Sequence, residues 1–243
     1  MSQVKLGDKN IPFIYQGNEL LYPNPVKDGL VLYYDMKATS NNSQYKNTLK
    51  DISGNNNDAT LKNFNFTSES GYSDKGLKFD GVDDHIMSVN SIKRNSKDIS
   101  IELNIGDIDK SRNWQYLVHL KDITLNRLVS VLIHAGMLDV HISNGTTTQH
   151  TYYSISELNK HITVTLTGGT DMTQNVYVDG NKVNLLLGPI NSNISNFSNE
   201  LNITRAYNDA NKSSLKSIKL YDRILTDAEI QHNYKLEKER WGL

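Results

Sequence analysis

The chain contains no cysteine. Disulfide staples and thiolate metal sites are therefore excluded, and any core must be held by burial alone. Proline is scarce, at 4 residues, and two of these flank Asn24 in a Pro-Asn-Pro break. Charge of either sign is nearly balanced, with 26 Lys and Arg against 27 Asp and Glu. No bulk field draws the chain to nucleic acid or to an anionic membrane. No apolar run approaches the roughly 20 residues that span a bilayer, so membrane insertion is not expected. The opening MSQVKLGDKN has no apolar stretch of the secretory kind. The expectation is a protein made in the cytoplasm that leaves, if it leaves, by host lysis.

Short alternating segments are plentiful. Leu30 to Asp35, Ser100 to Ile105, Trp114 to Leu120, Leu128 to Ala135, Leu138 to Ser143, His161 to Thr167, Asn175 to Asp179, Leu201 to Thr204 and Lys216 to Tyr221 all read as strands. Gly136-Met137, Asn144-Gly145 and Asp179-Gly180 read as turns between them. Thr226-Asp227-Ala228-Glu229 is a capping box, in which the Thr hydroxyl and the Glu carboxylate each satisfy the other's amide. Ile230 and Tyr234 then lie one helical turn apart, which predicts a short C-terminal helix. Many short strands with turns at 8–12-residue spacing predict a sandwich or barrel. Residues 1–25 stand apart as an N-terminal arm. Phe13, Ile14, Leu20, Leu21 and Tyr22 make it apolar for its size, which suits either a first hairpin of the sandwich or an attachment or oligomerisation arm.

The order of these signals resembles that of laminin-G-like, concanavalin-A-like domains over roughly residues 28–235. The pieces that carry it are LVLYYD, DISGNNNDATL, a KFDGVDDHI hairpin, ISIELNI, HITVTLT, YVDGNKV and the exit IKLYDRILTDAEI. A short arm before such a sandwich is also similar to structural proteins of bacteriophages of Gram-positive hosts. The resemblance implies an all-β fold, a two-sheet antiparallel jelly-roll sandwich over 26–243 with a short C-terminal helix. It further implies a non-enzymatic virion protein, a tail, baseplate or fibre component. Its partners would be other virion proteins, its candidate ligand a host cell-wall glycan, and its assembly a homo-oligomer such as a trimer. A free carbohydrate-binding lectin module and a glycan hydrolase with an unrecognised site are the alternatives.

Catalytic motifs do not appear. A Glu-x-Asp-x-Glu strand, which would place paired carboxylates on one face, is missing, and Glu102-Leu103-Asn104-Ile105 carries one acid only. Asp80, Asp83 and Asp84 cluster in one turn, and the resemblance makes them candidate Ca²⁺ ligands. Asp35 and Asp222 are strand-end acids that could lie near one another. Strand parity sends Val118, Leu120, Val131, Ile133, Val140 and Ile142 inward and His119, His134 and His141 outward. Those histidines are either a ligand or subunit face, or merely solvated groups on an open sheet. Trp114 and Tyr116 share the inward parity and are expected in the core. His150, Tyr152 and Tyr153 follow the Gly145 loop, and one tyrosine of the pair must face out and could stack on a sugar.

Overall fold

The computed structural model describes residues 5–6, 9–10, 13–16, 19–122, 124–155, 160–168, 172–188, 200–204, 206 and 211–243. Two antiparallel sheets face each other. One has six strands, in spatial order Ile92–Lys93, Glu200–Ile203, Gln115–Asp122, Arg127–His134, Met137–Ser143 and Thr148–Tyr153. The other runs Asn181–Val183, Gln174–Val178, Lys160–Leu166, Ile99–Gly106, Ser214–Tyr221, Gly76–Lys78 and Gly71–Ser73. Leu30–Asp35 completes that sheet by pairing with Ser214–Tyr221. The inward side chains of both sheets, such as Leu103, Val164, Leu220, Val131 and Val140, form one continuous core. The predicted all-β sandwich is the observed fold.

The Asp179-Gly180 turn forms as expected. Both residues have positive φ, and Val178 pairs with Asn181 across it. The segment around Gly81 differs from expectation. Gly76–Lys78 belongs to the large sheet, whereas His85–Ser88 pairs with Ala59–Lys62 in a separate three-stranded sheet. KFDGVDDHI is thus a crossing between sheets and not a hairpin. A turn signal fixes a change of direction but not which neighbour the next strand takes.

The outer faces of the two sheets are treated differently. Helix Asp227–Trp241 lies over the large sheet. Its N-terminus carries the capping box: Thr226 Oγ1 accepts from the Glu229 amide at 3.3 Å, and Glu229 Oε2 accepts from the Thr226 amide at 2.9 Å. The arm packs beside it. Its strands Ile14–Gln16 and Glu19–Tyr22 pair, and the Phe13 and Tyr22 rings lie 4.8 and 5.7 Å from the Arg240 guanidinium of the helix. Residues 1–4, 7–8, 11–12 and 17–18 of the arm lie outside the described residues. Strands Ile99–Gly106, Lys160–Leu166 and Ser214–Tyr221 are consequently buried on both faces. In the six-stranded sheet Gln115–Asp122 and Thr148–Tyr153 keep the alternation of a one-sided sheet, while Ser130, Leu132 and Asp139 on the strands between them are buried despite outward parity. Among the described residues no helix is long and apolar enough to cross a membrane.

Candidate functional site

The open face owes its composition to one extra residue. In strand Gln115–Asp122, Tyr116 pairs with Leu132 but Val118 pairs with Val131, so Leu117 is a β-bulge. A bulge shifts parity by one. Val118 and Leu120 point into the core as expected, while Trp114 and Tyr116, expected there too, are carried to the outside. Trp114 is 40% exposed, and its backbone has φ 61°. For so bulky a residue that left-handed conformation is strained, and such strain gathers at functional sites.

Two transverse rows of side chains result. His119, Ser130, His141 and His150 follow one another in register across four strands. Tyr116, Leu132, Asp139 and Tyr152 form the row beside them. His119 Nδ1 lies 2.7 Å from Ser130 Oγ. The His141 and His150 rings stack with centroids 4.3 Å apart. Trp114 stacks on His134 at 3.7 Å and meets the edge of His150 at 5.6 Å. Strand parity predicts His119, His134 and His141 on this face, and the fold joins His134 and His141 to His150, Tyr152 and Trp114 in one cluster.

Asp139 is its centre. The residue is fully buried. Its Oδ2 accepts from His150 Nδ1 at 2.7 Å, with His134 Nδ1 at 3.8 Å. Its Oδ1 has no partner. Burial pushes the carboxyl up to about 6, against the opposing pull of His150. His134 Nδ1 also lies 3.3 Å from the Tyr152 hydroxyl. Burial, helped by His150 and His119, brings His141 down to about 4, and neither of its ring nitrogens has a partner. Burial and Lys121 likewise bring His119 to about 4. A buried carboxylate with a free lone-pair oxygen is costly to keep unless something donates to it. Leu185, Leu186 and Leu187 edge the cluster, all exposed, the last two tied to the Tyr152 backbone at 2.8 Å.

Other expected site residues fare variously. Tyr153 turns into the core, 2% exposed, where Gln174 donates to its hydroxyl at 2.9 Å. It is therefore no part of the face, because Tyr152 takes the outward parity. Asp80, Asp83 and Asp84 do converge, each offering a carboxylate oxygen within 4.8 Å of the others. Asp84 is buried, and its Oδ1 is unpartnered. Burial raises its pKa, with Asp80 and Asp83 adding to the rise and hydrogen bonds from Ser70 and the Asp80 amide opposing it. The donor set suits a hard cation. Asp35 and Asp222 are not brought together. Asp35 pairs with Arg240, whereas Asp222 accepts from the Asn95 amide at the other end of the strand pairing. Asp139 itself was not picked out from sequence. The available signal was an acid at outward parity between Leu138 and Val140 on a strand already bearing an outward histidine.

No protein-family model and no curated protein matches the sequence. Solved structures do. A Trypanosoma rangeli sialidase in complex with 2,3-difluorosialic acid aligns with 88% of this chain and 33% of its own, at TM-score 0.60 and 15% identity. The botulinum neurotoxin serotype D binding domain aligns with 86% of this chain and 52% of its own, at TM-score 0.59 and 15% identity. The botulinum neurotoxin type G receptor binding domain gives 86%, 52%, 0.56 and 16%. The chain thus spans about a third of the sialidases and about half of the toxin domains. The expectation of a non-enzyme is overturned here. It rested on the sandwich being a mark of binding modules, and structures matching this sandwich include sialidases, which are enzymes. The likeness establishes the fold, an all-β lectin-like sandwich.

Proposed function

We propose that the chain is a glycan-recognition module whose ligand lies on the outer face of the six-stranded sheet, stacked on Trp114 above the buried Asp139 carboxylate. The observation that carries this reading is the unpartnered, buried Asp139 Oδ1 beside a tryptophan held exposed in a strained backbone. An aromatic face with a few fixed polar groups is what a sugar ring needs. The names of the structures it resembles, a sialidase and toxin receptor-binding domains, support the same class of ligand. Glycan-array binding followed by titration calorimetry tests it. Trp114→Ala and Asp139→Ala should each weaken binding by at least ~tenfold, about 1.4 kcal/mol. Wild-type binding in both variants would reject the site.

Within this reading the module serves a phage tail, baseplate or fibre, where repeated copies multiply weak sugar affinity. The order of sequence signals and the exposed Tyr15 and Leu21 of the arm support it. Mass spectrometry of purified virions and light scattering of the protein test the two halves of that statement. Asp80, Asp83 and Asp84 would hold the Ca²⁺ ion. A rise in melting temperature with calcium, lost in Asp84→Asn, is the expected result.

A further inference from the structure

The glycan reading leaves the class of sugar open, and the polar groups of the face narrow it. Asp139 finds ionisable partners only in His134 and His150 among the described residues. Lys121 shares the outer face, but it sits beyond His119 on a strand two removed from that of Asp139. Arg112, two residues before Trp114, is turned to the Gly81 carbonyl at 2.6 Å and to Asp109. Sugar acids are held by arginine forks or lysine ammonium groups, and the cluster offers neither.

The cluster offers acceptors at Asp139 and His150, and its donors, such as the Tyr152 hydroxyl and the Trp114 indole N–H, are neutral. Asp139 Oδ1 accepts only. His150 turns Nδ1 toward Asp139 Oδ2 at 2.7 Å, and an N–H there leaves Nε2 of the neutral ring as an acceptor on the far side. A ligand over this cluster meets His150, whose side chain is part-exposed, and lies close above the Asp139 carboxylate. A second carboxylate would instead be placed against a buried negative charge, with little water to screen it.

Resting on the glycan reading, we infer that this face selects neutral or amino pyranosides, which lay hydroxyls or an ammonium over the buried Asp139 carboxylate, and rejects sugars bearing a carboxylate. A sialidase solved with a sialic acid derivative shares the fold, but the ligand does not transfer with it, because the polar groups here have the wrong sense for an acid.

The test is a glycan array at pH 7.5 that contains pairs of glycans differing by one sialic or uronic acid. It is probed with the wild type, Asp139→Asn and Met137→Arg. Met137 lies on the Asp139 strand, two residues away on the same face, and is half-buried. The wild type should bind the neutral or amino member at least ~tenfold more tightly than its acid partner. Both variants should narrow that gap, one by removing the charge and the other by adding a cation, so either can serve if the other fails to fold. Equal or tighter wild-type binding of the acid-bearing partners overturns this inference and leaves the glycan reading intact. So does a gap that the folded variants leave unchanged. Absence of binding to every glycan overturns the glycan reading and this inference with it.

Discussion

The two outer faces of the sandwich begin alike and end differently. Each carries polar side chains at outward parity. On the large sheet, the terminal helix closes over Glu102, Asn104, His161 and Lys219 and adds Asn233, Glu237 and Arg240. Lys219 pairs with Glu237 and lies 3.8 Å from Glu102. Asn233 donates to Glu102 at 2.8 Å, and Asn104 donates to Glu237 at 3.1 Å. Burial opposes ionisation of both acids. In Glu237, Lys219, His161 and Asn104 reverse that effect and hold it near 2, whereas Glu102 is left at about 7. On the small sheet no helix among the described residues lies over the face, and Asp139 and His141 keep unpartnered atoms. Beneath the helix Asn104 Oδ1 and both His161 ring nitrogens are unpartnered too, so what sets the open face apart is its exposed Trp114 above a buried carboxylate and not the presence of unpartnered atoms.

Five variants sharpen or break that contrast. The largest effect belongs to Lys219→Met. Removing the cation strands two buried acids, and denaturant unfolding should show a loss of about 3–5 kcal/mol. A loss below about 1 kcal/mol would mean the covered network is not what holds the helix down. Next is acid sensitivity. Burial brings His161 under the helix to about 4, as it does His141 on the open face. Both lie below the unfolded value of about 6.5, so their stabilising contribution is complete above that pH and is lost as pH falls toward 4. Melting temperature should drop across this window, and His161→Gln or His141→Gln should each flatten the drop.

Thr226→Ala should cost about 0.5–2 kcal/mol, the usual loss of an N-cap. Chemical denaturation that shows no change would detach the helix from the argument. The smallest effect has the opposite sign. Because the folded pKa of Asp139 is raised to about 6, its contribution to stability is largest when it is protonated and declines as pH rises from the ordinary carboxylate range through 6. Asp139→Asn should therefore melt higher than wild type at pH 7, by about 1 kcal/mol in stability, and the gain should vanish near pH 4. A variant that is less stable at neutral pH would show that the carboxylate serves the fold and not a ligand.

Much of the architecture was legible in the chain because it is written locally. The capping box needs four consecutive residues, Thr226 to Glu229, and the Asp179-Gly180 turn needs two. Inward parity at Val131, Ile133, Val140 and Ile142 follows from alternation alone. What was hidden depends on partners distant in sequence. The pairing of His85–Ser88 with Ala59–Lys62 is chosen by the rest of the sheet. Glu102 and Lys219 look like ordinary outward residues until a helix over 100 residues after Glu102 covers them. The histidine positions of the candidate site were visible from parity, but its centre was not. Alternation carried backwards from Val118 sends Trp114 inward, and only the mismatch against Arg127–His134 reveals the added residue.

That added residue has a genetic consequence. Leu117 is the one position by which the strand is out of step with its neighbour. Deleting its codon would close the bulge without turning either ring: Tyr116 would still face Leu132, Val118 would still face Val131, and Trp114 would stay outward. What those three nucleotides encode is thus the local bend of the strand, and not the side of the sheet on which its aromatic rings stand.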